Sequence, residues 1–236
     1  MNDIEFRDLK GMVEFRKAEE LQRAVWGEGD MPDPADLMMV IQTEGGLVGG
    51  AFADGNLLGY VFGFPTRDPD IQHSHRLAVL PSARGLGLGA QLKFYQRRWC
   101  LDRGIRTVRW TFDPLRAVNA ALNIHRLGAT SDTYLVDFYG EMGGINQGIA
   151  SDRLMARWDL DSAAVAARAE GTALPPAEII DRVRVPGDID TLLDNDPEQA
   201  RQIRLAIRDR LLGAFAAGLR ISGFDRAEGE YLLSRA

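Results

Sequence analysis

The sequence has one cysteine, three histidines and no long run of apolar residues. A single cysteine excludes an internal disulfide, and the apolar neighbours of Cys100 indicate a buried thiol in a reducing compartment. No stretch approaches the roughly 18 apolar residues that a membrane-spanning helix requires. The first 15 residues carry acids where a secretory signal carries basic residues and then an apolar run. We therefore expect a cytoplasmic protein with no membrane partner.

An excess of positive charge is also absent. The 28 Lys and Arg residues face 34 Asp and Glu residues, which gives a net charge of −6. Nucleic-acid binders carry a basic surface, so we predict no nucleic-acid partner. The content of 45% apolar and 26% charged residues is typical of a folded globular protein and excludes global disorder. A chain of 236 residues suits one large domain, or one domain with an extension.

The apolar periodicity predicts a chain in which strands and helices are interleaved. Strand-like runs lie at residues 4–6, 48–53, 57–64, 77–80, 108–112, 134–139 and 154–160, and helix-like segments at 12–25, 37–43, 88–99 and 119–127. Asp54-Gly55 favours a hairpin turn between two of these strands. The order β-α-α-β-β-β-α-β-α-β-β predicts a mixed α/β (α+β) fold, with a central sheet flanked by helices.

The C-terminal quarter of the chain is predicted to be a separate extension. A Gly- and Pro-containing break within residues 161–177 indicates a linker between a domain at 1–160 and an extension at 178–236. Asp196 and Pro197 suit the N-cap and first position of a helix. The extension is predicted as a strand, a helix and a hairpin (β-α-β-β) at 179–185, 197–217, 219–224 and 231–233. Its sequence carries no motif that indicates a role.

A glycine-rich segment, Arg84-Gly-Leu-Gly-Leu-Gly89, lies between a predicted strand and a predicted helix. The first N–H groups of a helix have no internal partner and carry positive partial charge, so they favour phosphate, and Arg84 adds a permanent cation. A P-loop is excluded because Ala90-Gln91 stand where Lys and Ser/Thr are needed. The G-x-G-x-G spacing disfavours a dinucleotide-binding fingerprint. A glycine turn without function remains the alternative.

In this context residues 3–160 resemble the GNAT superfamily of coenzyme A-dependent N-acyltransferases. The pyrophosphate loop of that family reads Gln/Arg-x-x-Gly-x-Gly/Ala, which Arg84, Gly87 and Gly89 match, and the order of elements is the same. The resemblance implies a GNAT fold and an acyl-CoA such as acetyl-CoA as co-substrate, with no metal. GNAT proteins often pair, so it also implies a homodimer as a candidate assembly.

The same resemblance assigns contacts to the cofactor. Backbone groups of Leu77 and Val79 would hold the pantetheine arm, and Asn119 would make a further contact. The backbone amides that would hold the pyrophosphate are those of Gly85, Leu86, Gly87, Leu88, Gly89 and Ala90. Taken alone, Asn119 is equally well explained as a helix N-cap.

Two histidines are candidates for the general base. An acceptor amine with a pKa of about 10.4 is almost fully charged at pH 7, so acyl transfer gains from a base. His73 and His75 are two residues apart, which places them on one face of a strand. With a reference pKa near 6.5, an imidazole is roughly three-quarters neutral at pH 7. The run is similar to that of serotonin N-acetyltransferases, whose paired histidines relay the proton.

His75 is the preferred base of the two. It lies nearer the middle of the strand, where many GNAT enzymes carry a glutamate base. The alternative is a histidine that only packs at the entrance of the strand.

One position departs from the family pattern. GNAT enzymes often carry a tyrosine, about four residues before the glycine that closes the helix, as the acid for the leaving thiolate. Ile124 stands at that place here. Either the thiolate leaves without an acid, or His125 or Tyr139 supplies the proton.

Three charged residues are candidates for binding the acceptor. Asp113 ends the fifth strand and could either orient an amine or cap the turn at Pro114. Arg153 and Arg157 share one face of a strand, where two cations could bind a carboxylate or could simply be solvated.

The segments around these residues resemble a bacterial GNAT subgroup that includes acyl- and succinyltransferases of amino acids. This implies a small primary amine that bears a carboxylate as the acceptor. Two alternatives remain: a protein acetyltransferase that acts on Lys or an N-terminus, and a non-catalytic coenzyme A sensor.

Overall fold

The computed structural model describes residues 4–27, 29–140, 150–172 and 177–235. The strands in these ranges are β1 (Glu5–Asp8), β2 (Leu47–Ala53), β3 (Asn56–Pro65), β4 (Ile71–Val79), β5 (Thr107–Phe112), β6 (Tyr134–Leu135), β7 (Arg153–Asp159), β8 (Asp181–Arg184), β9 (Leu219–Asp225) and β10 (Glu230–Arg235). The helices are α1 (Gly11–Trp26), α2 (Ala35–Thr43), α3 (Leu88–Leu101), α4 (Ala117–Ala120), α5 (Ala163–Glu170), α6 (Ile189–Asn195) and α7 (Pro197–Ala216). None of the described helices is both long enough and apolar enough to cross a membrane.

The described residues form two compact units, of which the first ends at Arg109 and the second begins at Trp110. The first contains α1–α3 and the strand order β1-β2-β3-β4-β5, with antiparallel pairs except for the parallel pair β4–β5. The second contains α4–α7, the order β5-β7-β6 and a three-stranded sheet β8-β10-β9. Strand β5 is common to both, so the mixed sheet has seven strands. These findings confirm the predicted mixed α/β class.

Local signals account for much of the first unit. Asp54 and Gly55 both have positive φ angles, 49° and 75°, so the predicted hairpin turn between β2 and β3 is confirmed. Apolar side chains of α1, among them Phe15 and Leu21, are buried in one cluster with Tyr60 of β3. Cys100 is a free, fully buried thiol. The prediction of a buried cysteine is therefore confirmed.

Strand β4 begins six residues before the predicted start at Leu77 and contains a β-bulge. Gly63 lies opposite Ser74 and Phe62 lies opposite Arg76, so His75 is an extra residue without a partner on β3. A bulge of this kind re-aims the side chains that follow it. The alternation of side chains between the two faces of β4 is therefore interrupted at His75.

A buried polar cluster joins β4 to α3. Lys93 Nζ donates to Ser74 Oγ at 2.9 Å and to Gln96 Oε1 at 2.7 Å. Gln96 Nε2 donates to Gln72 Oε1 at 2.7 Å. Gly63 leaves the space for this cluster, because a Cβ there would lie 2.6 Å from Gln72 Oε1. The cluster fixes the strand that carries both histidines.

The buried lysine predicts a pH-dependent stability. Burial lowers the pKa of Lys93 to about 7. Below pH 7 the lysine is protonated in both the folded and the unfolded chain. Above pH 7 the unfolded chain, with its pKa near 10.4, binds more protons, so the free energy of unfolding rises with pH.

We expect this free energy to rise between pH 7 and pH 9 by about 2 kcal/mol more in the wild type than in Lys93→Met. Urea unfolding at several pH values measures the difference. Burial raises the pKa of Cys100 to about 12, but that thiol is present in both proteins and cancels in the comparison. Parallel pH curves for the two proteins would contradict the prediction.

The second unit confirms the predicted C-terminal elements and adds two helices. Helix α7 begins as predicted, with Pro197 in its first turn and the Asp196 side chain accepting from the Gln199 amide. Helix α6 was not predicted, so the extension reads β-α-α-β-β. Helix α5 lies inside the predicted linker, and residues 173–176 of that linker lie outside the described residues. The domain boundaries themselves remain a prediction.

Strand β6 is shorter than predicted. It covers Tyr134–Leu135 rather than residues 134–139. The chain turns next because Asp137 takes a positive φ of 46° and its amide donates to Asp152 Oδ1. Tyr139 therefore lies in a turn. Most of the predicted loop at 140–151 lies outside the described residues.

Candidate active site

The glycine-rich segment forms a turn that opens helix α3. A 3₁₀ turn at Pro81–Ala83 leads to Arg84, which is exposed. Gly85 and Gly87 have φ angles of 85° and 71°, which residues with a Cβ adopt only at a cost. Gly87 is the N-cap of α3 and has no side chain that could cap the helix. The positive φ angles at Gly85 and Gly87 thus explain why glycine stands at both positions.

This turn leaves backbone amides free to bind an anion. The first helical hydrogen bond of α3 runs from the Gln91 amide to Gly87 O at 3.2 Å, so the preceding amides point out of the helix end. The positive end of the helix dipole lies at the same place. The space where a Cβ of Gly85 would lie contains no atom within 4 Å. These residues fit a phosphate group.

Strand β4 offers an edge beside this turn. It pairs with β5 from Ile71 to His73, whereas its pairing with β3 continues to Val79. Within the first unit, the edge of β4 that faces β5 therefore has no β5 partner after His73. Leu77 and Val79, both half-buried, lie on that part of the strand. An extended ligand arm could bind to backbone groups there.

The structure brings the two histidines together but gives them different surroundings. Their ring centroids are 6.3 Å apart. His73 stacks on Phe64 at 4.9 Å, and burial lowers its pKa to about 4, with the charges of His75 and Arg109 acting in the same direction. His73 is therefore neutral near pH 7 but a weak base. His75 is exposed, and its Nε2 lies 3.3 Å from Asp33 Oδ1.

Asp113 lies in the second unit and is held by a buried ion pair. Arg204 of α7 approaches its carboxylate with Nη2 at 2.9 Å from Oδ2 and Nη1 at 3.3 Å from Oδ1. The Leu115 amide donates to Asp113 Oδ1 at 2.8 Å. Asp113 therefore caps the turn at Pro114, one of the two roles that the sequence allowed. No short-range signal could identify Arg204, which is 91 residues away.

The two candidate arginines on β7 differ in environment. Arg153 is buried, and its guanidinium lies 5.2 Å from the centre of the Tyr139 ring. Burial lowers the pKa of Arg153. Arg157 is exposed and pairs with Asp159 at 3.0 Å. The structure thus favours Arg153 over Arg157 as a binding residue.

Tyr139 is half-exposed, and its hydroxyl lies 2.8 Å from Thr111 Oγ1. Ile124 is fully buried in a π-helical turn, Ala121–Arg126, that follows α4. His125 Nδ1 lies 3.2 Å from the Phe224 carbonyl oxygen. Both candidate acids are exposed residues, and each already has a hydrogen-bond partner, Thr111 for Tyr139 and the Phe224 carbonyl for His125.

Asn119 lies inside α4. The N-cap of that helix is Arg116, and the Asn119 amide donates to Arg116 O. The interpretation of Asn119 as an N-cap is therefore wrong, because the N-cap of the helix lies three residues earlier, at Arg116. Its predicted contact with the cofactor remains a prediction.

Comparisons with known proteins are consistent with this geometry. The model of the acetyltransferase (GNAT) family matches residues 12–129, which is half of the chain. No curated protein matches the chain.

Several solved structures share the fold. The ribosomal-protein-S18-alanine N-acetyltransferase of Escherichia coli is 16% identical with a TM-score of 0.55, covering 68% of this chain and 96% of that one. An N-acetyltransferase of Staphylococcus aureus is 15% identical with a TM-score of 0.53, covering 67% and 99%. The phosphinothricin acetyltransferase of Sinorhizobium meliloti, in complex with acetyl-CoA, is 19% identical with a TM-score of 0.53, covering 65% and 86%. At these identities the likeness concerns the fold alone.

Proposed function

The chain belongs to the GNAT acetyltransferase family, and we propose that it is an acyl-CoA-dependent N-acyltransferase. In this proposal it transfers the acyl group to the primary amine of a small acceptor that carries a carboxylate. The turn at the start of α3 supports the donor, because its free amides and Arg84 fit a pyrophosphate. The acceptor class is supported by the buried cation Arg153. A guanidinium presents two parallel N–H groups to a carboxylate, so Arg153 could bind the carboxylate of the acceptor in a bidentate manner.

In this proposal the residues of the chain bind the acyl-CoA, orient the acceptor and move a proton. The amides from Gly85 to Ala90 bind the pyrophosphate, and backbone groups of Leu77 and Val79 bind the pantetheine arm. Asn119 adds a contact. When bound, the acyl-CoA supplies the activated thioester and the thiolate leaving group.

His75 takes the proton from the acceptor amine, since it is the more exposed imidazole, whereas burial lowers the pKa of His73 to about 4. Tyr139 is our candidate for the acid, in place of the tyrosine that the family carries where Ile124 stands. Arg153 binds the acceptor carboxylate. A cytoplasmic location and a homodimer remain predictions.

A thiol-release assay tests the function. Acetyl-, succinyl- and longer acyl-CoA are each mixed with amino acids, polyamines and peptides, and free thiol is measured. We expect release with amino acids. Release with peptides alone would favour a protein acetyltransferase. Tight binding of coenzyme A by calorimetry without release for any amine would favour a sensor.

Replacing Arg153 tests the acceptor class. Arg153→Ala should raise the KM for carboxylate-bearing acceptors about 10- to 100-fold, because a hydrogen bond to a charged group contributes about 1.5–3 kcal/mol. Acceptors whose carboxylate is amidated should show no such change. Arg157→Ala is the matched control, since Arg157 is exposed on the same strand. An unchanged KM in Arg153→Ala for every carboxylate-bearing acceptor would argue against the proposal.

A further inference from the structure

We propose that Asp33 is the positioning residue for His75, which it orients so that Nδ1 is the atom that takes the proton from the acceptor. The inference rests on the proposed function, in which His75 is the base. Asp33 lies in the segment between α1 and α2, 42 residues before His75. The distance of 3.3 Å between Asp33 Oδ1 and His75 Nε2 is the contact on which the proposal depends.

The bulge in β4 brings His75 to this carboxylate. In a regular strand, His75 and Arg76 would point to opposite faces. Because His75 is the extra residue of the bulge, both side chains reach Asp33. Arg76 Nε lies 3.1 Å from Asp33 Oδ2, and His75 Nε2 lies near Oδ1. One carboxylate thus orients two neighbouring side chains.

Asp33 is itself held in place by α1. Its amide donates to Gln22 Oε1 at 2.8 Å, and Gln22 Nε2 donates back to the Asp33 carbonyl oxygen at 3.3 Å. Gln22 is fully buried. Arg76 adds a second tie, since it donates to the Met31 carbonyl oxygen and lies over the Trp26 ring at 4.7 Å. The backbone of Asp33 is thus fixed by Gln22 of α1, and the segment that carries it is tied to β4 through Arg76.

The chemistry follows from the hydrogen-bonding capacity of each group. An ionised carboxylate only accepts, so a neutral His75 must carry its hydrogen on Nε2 and donate it to Asp33. The lone pair is then on Nδ1. The proton passes from the acceptor nitrogen to Nδ1 as that nitrogen forms a bond to the thioester carbonyl carbon. The C–S bond then breaks, coenzyme A leaves as the thiolate or takes a proton from the acid, and the imidazolium releases its proton to water. Asp33 keeps its charge throughout and stabilises the imidazolium.

The other groups that face His75 do not replace Asp33 in this role. Phe62 and Phe64 of β3 contact the imidazole with apolar rings, each at 5.6 Å between centroids. His73 is uncharged near pH 7. Asp30 pairs with Arg76 rather than with His75. Among the described contacts of His75, Asp33 supplies the only carboxylate.

A double-variant cycle tests the proposal. The kcat for thiol release is measured, at saturating acyl-CoA and acceptor, in the wild type, Asp33→Ala, His75→Gln and the double variant. We expect Asp33→Ala to lower kcat about 10- to 100-fold, the range found when a carboxylate that orients a metal-bound histidine is removed. In the His75→Gln background the same change should have no further effect. Asp33→Glu should restore part of the rate.

The controls separate orientation from folding. Asp30→Ala removes a neighbouring carboxylate that also pairs with Arg76, and it should change kcat less than about threefold. Coenzyme A affinity should remain constant throughout. If Asp33→Ala does not fold, Asp33→Asn replaces it, because the amide keeps the shape of the side chain.

An equal loss of kcat in both backgrounds would overturn the proposal and leave Asp33 with a structural role. A full rate in His75→Gln would overturn both this proposal and the role of His75. A loss in His75→Gln together with a full rate in Asp33→Ala would overturn only the role of Asp33.

Discussion

His75→Gln is expected to lower kcat at pH 7 by about 10²- to 10⁴-fold, the usual contribution of a general base. The residue is exposed on β4, so the substitution removes an imidazole without opening a cavity in the core. Glutamine keeps hydrogen-bonding capacity but cannot take up a proton. Coenzyme A affinity, measured by calorimetry, should remain unchanged, because the glycine turn of α3 is untouched.

His73→Gln is the matched control for this experiment. His73 is on the same strand, but burial lowers its pKa to about 4, so it is poorly suited to accept a proton near pH 7. We expect a smaller loss of kcat than in His75→Gln. A variant His75→Gln whose kcat equals that of the wild type from pH 6 to pH 9 would remove His75 from the mechanism.

Arg204→Ala is expected to lower the free energy of unfolding by about 3–5 kcal/mol. The side chains of Arg204 and Asp113 are only 4% and 10% exposed, so removing the cation leaves a buried carboxylate without its partner. Denaturant unfolding measures the loss. The double variant Arg204→Ala/Asp113→Asn should recover part of it, because the unpaired charge is then gone as well.

Arg201→Ala is the control on the same helix. Arg201 pairs with Glu198, but these side chains are 57% and 65% exposed. An exposed ion pair contributes about 0–1 kcal/mol, so this variant should unfold almost as the wild type does. Equal losses of unfolding free energy in Arg201→Ala and Arg204→Ala would show that the buried Asp113–Arg204 pair stabilises the fold no more than an exposed pair does.

Predictions from the sequence were correct where the signal is local. The turn at Asp54-Gly55, the start of α7 at Asp196-Pro197 and the glycine turn before α3 each depend on a few consecutive residues. Their backbone preferences act before any distant contact forms. The same reasoning failed for β6, where a hydrogen bond from the Asp137 amide to Asp152, 15 residues later, ends the strand.

The candidate site was predicted in part. The two neighbouring histidines and the glycine turn before α3 were identified because they form compact motifs. Asp33 was missed because its contact with His75 joins residues 42 positions apart, and the segment around it carries no motif. For Arg153 the sequence left burial and solvation open, since alternation places a side chain on a face but does not say what covers that face.

The sequence by itself determined the order of strands and helices from β1 to β7, the family and the glycine turn before α3, because each depends on the spacing of neighbouring residues. Tertiary structure decided the environment of each charged group. The bulge that turns His75 and Arg76 toward one carboxylate depends on how β4 pairs with β3. The burial of Asp113 depends on the packing of α7, whose Arg204 compensates its charge. Such effects arise between residues far apart in the chain, where no local preference of the backbone can specify them.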